Sequence, residues 1–76
     1  MKQKTPLARW MWENSYQDTT FAVAVETRMR ALGHPEASVS SRTVAKWRRG
    51  EAMPRKAALQ AMLDITGLTA DDVVLA

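Results

Sequence analysis

SVSSRTVAKWRRG, residues 38–50, is a run of small residues followed by a short helical pattern that turns strongly basic. Four of these thirteen residues are Lys or Arg and none is acidic. On a helical wheel of about 100° per residue with Val44 at 0°, Trp47 falls near 300°, so the two apolar residues share a face. On the same scale Arg42 lies at about 160°, Arg49 at about 140°, Lys46 at about 200° and Ala45 at about 100°. The segment therefore has two sides, with Val44 and Trp47 inward and Arg42, Ala45, Lys46 and Arg49 outward. Ser41 and Thr43 flank the core side, but Ser41 sits in the first turn, where it can still reach outward. Arg48 lies near the core side and has only a weak claim to a phosphate contact. The helix is expected to start at Ser40 or Ser41 and to end at Gly50.

Four further helices and no strand are expected around this one. Thr5 suits a helix cap and Pro6 a first helical turn, where its missing N–H costs nothing. The spacing of Leu7, Trp10 and Met11 predicts a first helix over 6–15, after a flexible tail over 1–5. QDTT at 17–20 signals a second start. FAVAVETRMRALG, 21–33, places Phe21, Ala24, Val25, Arg28, Met29 and Leu32 on one face, and the stem of Arg28 can lie along apolar surface while its head reaches water. Gly33 supplies the stop. HPEAS, 34–38, is a connecting turn. A fourth helix follows Pro54, with Leu59, Met62, Leu63 and Thr66 as its buried side, and ends at Gly67. TADD, 69–72, resembles a capping box that opens a short last helix. The fold class is all-α: a single domain of five helices over 1–76, with short connections around one core.

Composition limits what such a chain can do. Seventy-six residues make one domain, and there is no cysteine for a disulfide or a thiolate metal site. No apolar run approaches the roughly 18 residues of a membrane span. The basic start MKQKTPLARWMW lacks an apolar signal segment, because Arg9 and Glu13 interrupt it, so a cytoplasmic location is expected. Catalysis has no support: the single histidine, His34, sits beside a proline in a turn, and the adjacent Asp71 and Asp72 diverge. No metal, cofactor or small-molecule ligand is expected.

Charge is distributed unevenly. The net charge is +3, yet residues 1–41 carry +1, residues 42–56 carry +5 and residues 57–76 carry −3. A solvated helix face accounts for many charge runs, but an asymmetry this local points to a polyanion partner. The two-sided basic helix suits the major groove of double-stranded DNA, which admits one helix. Arg and Lys can donate to guanine N7 and O6. Ala45 is small enough to permit close approach, and its methyl can touch a thymine methyl.

The order of elements also matters: a helix ending Ala31-Leu32-Gly33, a turn, then VSSRTVAKWRRGEAMPRKAALQAMLDITGLTADDV over 39–73. This resembles the lambda-repressor-like, Cro-type helix-turn-helix DNA-binding family. The matching positions are Val39, Ser40, Thr43, Val44, Trp47, Gly50 and Pro54, then Gly67 and the TADDV start of a fifth helix. Two departures stand out: the second helix is about two turns longer than is usual there, and the turn is longer too. By position, the resemblance places Ser41, Arg42 and Lys46 where that family reads bases. It places Ser40 and Thr43 at phosphate-contacting or capping positions, and Arg49, Arg55 and Lys56 around the loop, where they would clamp the backbone. It implies a phage or prokaryotic transcription regulator, a repressor that binds its operator as a homodimer, with RNA polymerase as a further partner if it activates.

Two apolar features stand apart from the basic helix. Trp10 and Trp12 are two residues apart and cannot share a helix face. Trp10 goes inward with Leu7; Trp12 either packs on the tail or the flank of the second helix, or marks a contact with a second subunit or another protein. The C-terminal VVLA, with Val74 and Leu75, either covers the core edge or pairs two subunits. A rival function follows from these: an adaptor that keeps the helix-turn-helix fold but binds another protein.

Overall fold

The computed structural model describes residues 5–74, and for residues 73 and 74 the backbone alone. Five helices follow in order: α1 Pro6–Glu13, α2 Asp18–Ala31, α3 Ser41–Arg49, α4 Lys56–Thr66 and α5 Ala70–Val74. No strand occurs among the described residues. The radius of gyration, 11.3 Å, matches the roughly 11 Å of a folded domain of this length. None of the helices is long and apolar enough to cross a membrane.

Four of the five helix starts have a hydrogen bond to a local side chain. The Thr5 hydroxyl accepts from the Ala8 N–H at 3.0 Å and Pro6 occupies the first turn of α1. Thr5 thus belongs to the fold and not to a tail; residues 1–4 lie outside the described residues. At α2 the Gln17 N–H donates to the Thr20 hydroxyl at 2.9 Å, so QDTT is a start signal. Ser40 caps α3 by accepting from the Thr43 N–H at 3.2 Å. The TADD box closes reciprocally: the Thr69 N–H donates to Asp72 at 3.1 Å and the Asp72 N–H to the Thr69 hydroxyl at 3.2 Å.

Helix ends explain where the expected boundaries move. α1 stops at Glu13, two residues early, because Ser15 adopts a left-handed φ of 60°. That reversal lets the Tyr16 N–H reach the Met11 carbonyl at 2.8 Å. Tyr16 then stacks on Trp10 at 5.3 Å and meets Phe21 edge-on at 5.6 Å. Offset and edge-on ring pairs of this kind favour one arrangement over others.

The core joins Leu7, Met11, Phe21, Ala22, Val25, Val44, Trp47, Ala58, Ala61 and Met62, with Trp10, Tyr16, Met29, Val39 and Ile65 packed against it. α2 is the central element, packed on α3 and α4, while α1 packs on α3 and α5. Two expected faces turn out rotated. On α2 the buried residues are Phe21, Ala22 and Val25, while Ala24 is half-buried and Leu32 is exposed. A helix held between two neighbours needs a wider apolar surface than one stripe, and Leu32 follows the end of α2 as its C-cap. On α4 the buried residues are Ala58, Ala61 and Met62, while Leu59, Leu63 and Thr66 are half-buried. The two alanines form part of the core cluster beside Phe21 and Val25 of α2. Arg28, the polar residue on the apolar stripe of α2, donates to Asp64 of α4 at 3.0 Å and so ties the two helices together.

The long connection 32–40 is pinned from α2. The Glu26 carboxylate accepts from the Val39 N–H at 3.1 Å, Arg30 donates to the Ala37 carbonyl at 3.2 Å, and Glu26 and Arg30 pair at 3.4 Å. These bonds set where α3 begins.

Candidate nucleic-acid interface

The two-sidedness of α3 is realised. Val44 is fully buried and Trp47 is 7% exposed, while Ser41, Arg42, Lys46 and Arg49 are exposed and Ala45 is half-buried. Ser40 is spent as the cap of α3, and its hydroxyl also pairs with that of half-buried Thr43 at 3.0 Å. Ser40 therefore fills the capping role, and among the described residues the Thr43 hydroxyl bonds only that of Ser40.

Ion pairing sorts the basic residues sharply. Arg9 pairs with Glu13, Arg28 with Asp64, Arg30 with Glu26, Arg48 with Asp18 and Arg49 with Glu51. Arg42, Lys46, Arg55 and Lys56 have no acidic partner among the described residues. All four lie within 42–56. Arg42 sits in the first turn of α3, Arg55 is the N-cap of α4 and Lys56 its first residue. Cations there face the positive end of the helix dipole, and neither first turn holds an acid to offset them. Helix stability gives no reason for this placement; an incoming anion does, because unpaired N–H groups at a helix start already favour one. Lys46, in the last turn of α3, also complements that helix's own dipole.

Lys56 lines an open groove with Leu32, His34, Ala57 and Gln60, between the end of α2 and the start of α4. The four residues expected to read bases thus lie on α3, whereas Arg55 and Lys56 reach the surface from α4.

Arg48 has a structural role. Its Nε and Nη2 donate to the two Asp18 oxygens at 2.9 and 3.1 Å, and its carbonyl accepts from the Thr5 hydroxyl at 2.8 Å. The end of α3 is thereby fastened to the start of both α1 and α2. Hydrogen bonding to Asp18 pushes the Arg48 pKa above its ordinary value, against desolvation and with help from the Asp18 charge. A charge-assisted bidentate pair also has stricter geometry than a single ammonium contact.

Arg49 is held as well. Its guanidinium makes two hydrogen bonds to Glu51, at 2.8 and 3.3 Å. Gly50, at φ 77°, reverses the chain so that the Glu51 N–H bonds the Lys46 carbonyl at 2.9 Å, bringing Glu51 back over the last turn. The signal for this residue was present in the sequence: Glu51 is the one acid between Glu36 and Asp64.

The tail, one surface on which Trp12 is expected to pack, lies outside the described residues. Trp12 is 68% exposed and rims a shallow groove with Ala8, Met11, Tyr16, Gln17, Asp18 and Arg48. The side chain of Val74, and Leu75 entirely, lie outside the described residues. Among the described residues no three His, Cys, Asp or Glu side chains gather as a metal site would need.

No family model, curated protein or solved structure matches this chain.

Proposed function

We propose that this protein is a sequence-specific double-stranded DNA-binding transcription regulator of the lambda-repressor-like type, acting as a homodimer that occludes a promoter. The observation that carries the proposal is the sorting of charge. Five described arginines are neutralised by acids, while the four other cations among the described residues all fall between residues 42 and 56, three of them at helix starts. Ser41, Arg42, Ala45 and Lys46 then read base edges in the major groove, and Arg55 and Lys56 hold phosphates. Base contacts set sequence preference, and phosphate contacts set register and salt sensitivity. One small helix reaches few bases, so two half-sites about one helical turn apart are the natural route to specificity.

Selection from a random pool of DNA duplexes at near-physiological salt tests this. An enriched inverted repeat supports sequence-specific binding by a two-fold dimer. Enrichment of one short site supports binding as a monomer. Retention without enrichment, lost as salt rises, rejects the regulator in favour of general attraction to polyanions.

The exposure of Trp12 favours a second function, that of an adaptor for another protein. An exposed tryptophan beside a groove is a common anchor in protein interfaces. The adaptor requires Trp12 and dispenses with Arg42 and Lys46; the DNA-binding regulator requires the reverse.

A further inference from the structure

Glu51 is out of place on the surface that the proposed function assigns to DNA. Residues 37–63 contain no other acid. Arg49 shares the outward face of α3 with Arg42 and Lys46, at positions i, i+4 and i+7. The left-handed turn at Gly50 carries Glu51 back onto that face, and its carboxylate takes the Arg49 guanidinium through two bonds. Both partners are about half exposed, so the pair is accessible to solvent and to ligand. Exposed pairs of this kind contribute little to stability. Folding therefore gives little reason for a lone carboxylate here, whereas its effect on an incoming phosphate is direct.

We infer that Glu51 is an electrostatic brake on the DNA-binding face: it keeps Arg49 in an ion pair and so withholds one cation from the phosphate backbone. The inference rests on the DNA-binding function proposed above. While the pair holds, Arg49 and Glu51 present no net charge to DNA. The face binds with four cations instead of five, and polyanions without the operator sequence are held more weakly. A general phosphate contact strengthens every sequence alike, so withholding one lowers background binding across a genome of competing sites.

The test compares Glu51→Gln, Arg49→Ala and the double variant with the parent, on the selected operator and on an unrelated duplex, across a salt series. Glu51→Gln should bind both duplexes about 3- to 10-fold more tightly and steepen the slope of log K against log salt by about 0.9, the step for one more phosphate neutralised. The double variant, which removes both halves of a neutral pair, should return to within about 2-fold of the parent. Circular dichroism melting checks that each variant is folded; a merely structural pair would lower the melting temperature without tightening DNA binding. If the parent binds and Glu51→Gln gives no gain, the brake is refuted and DNA binding stands. If the double variant binds as weakly as Arg49→Ala, Arg49 already meets phosphate in the parent and the brake is again refuted. If the parent retains no duplex at any salt, the DNA-binding function fails and the brake with it.

Discussion

Arg55→Ala and Lys56→Ala should each flatten the salt dependence of duplex binding by one similar step, while Arg9→Ala, Arg28→Ala and Arg30→Ala leave it unchanged. The distinction comes from the ion pairs. The first two side chains have no acid among the described residues to release before they meet a phosphate; the last three already neutralise Glu13, Asp64 and Glu26. Each cation that displaces a condensed counterion contributes about 0.9 to the slope of log K against log salt. Between about 50 and 200 mM salt, a fourfold change, one such step is about 3.5-fold in affinity, well within the resolution of a fluorescence anisotropy titration. Titrating each variant on one labelled duplex gives the slopes directly. Arg28→Ala also cuts the link from α2 to α4, so its melting curve is needed beside its slope. If Arg28→Ala or Arg30→Ala flattens the slope as much as Arg55→Ala, or if Arg55→Ala and Lys56→Ala leave it untouched, pairing does not decide which cations meet phosphate.

Other perturbations separate specificity from stability. Arg42→Ala should cost about 1–3 kcal/mol on the operator and relax preference at one base position, seen by repeating the selection, whereas Arg55→Ala should weaken all sequences together. Phe21→Ala removes a fully buried ring that meets both Trp10 and Tyr16, and should destabilise the protein by about 3–5 kcal/mol in urea unfolding. A loss below about 1 kcal/mol would mean that the aromatic cluster does not hold α1 to α2. At Gly50 a new Cβ would stand 3.5 Å from the Thr5 Cγ2, an ordinary contact, so only the left-handed φ of 77° penalises Gly50→Ala. That strain is about 1 kcal/mol. A melting temperature lower by about 4–8 °C is expected, and an unchanged one would show that the turn can relax.

Much of the fold was legible because its signals are local. Thr5-Pro6, QDTT, Ser40 and TADD mark helix starts by hydrogen bonds made within three residues, and Gly50 and Gly67 mark ends by a backbone conformation that favours glycine. The division of α3 into a buried Val44–Trp47 side and an exposed basic side also follows from periodicity within one helix. By itself, then, the sequence determined five helices, their approximate limits and one cationic face, since each depends on residues a turn or so apart.

Packing decided the rest. Which side of α4 is buried, Ala58 and Ala61 or Leu59 and Leu63, depends on the helix it meets and not on its own composition. Burial of Ala22 and exposure of Leu32 depend on α2 lying between α3 and α4 and running on past the core. The partners of Arg28 and Arg48 are 36 and 30 residues away, so no local pattern could show that these two cations are bound while Arg42 is not. Arg49 and Glu51 are only two residues apart, yet their pairing required the reversal at Gly50 to bring the carboxylate back over α3. Charge can be counted along a chain, but whether it is neutralised is a matter of distance in space, and distance in space is settled only when the helices pack.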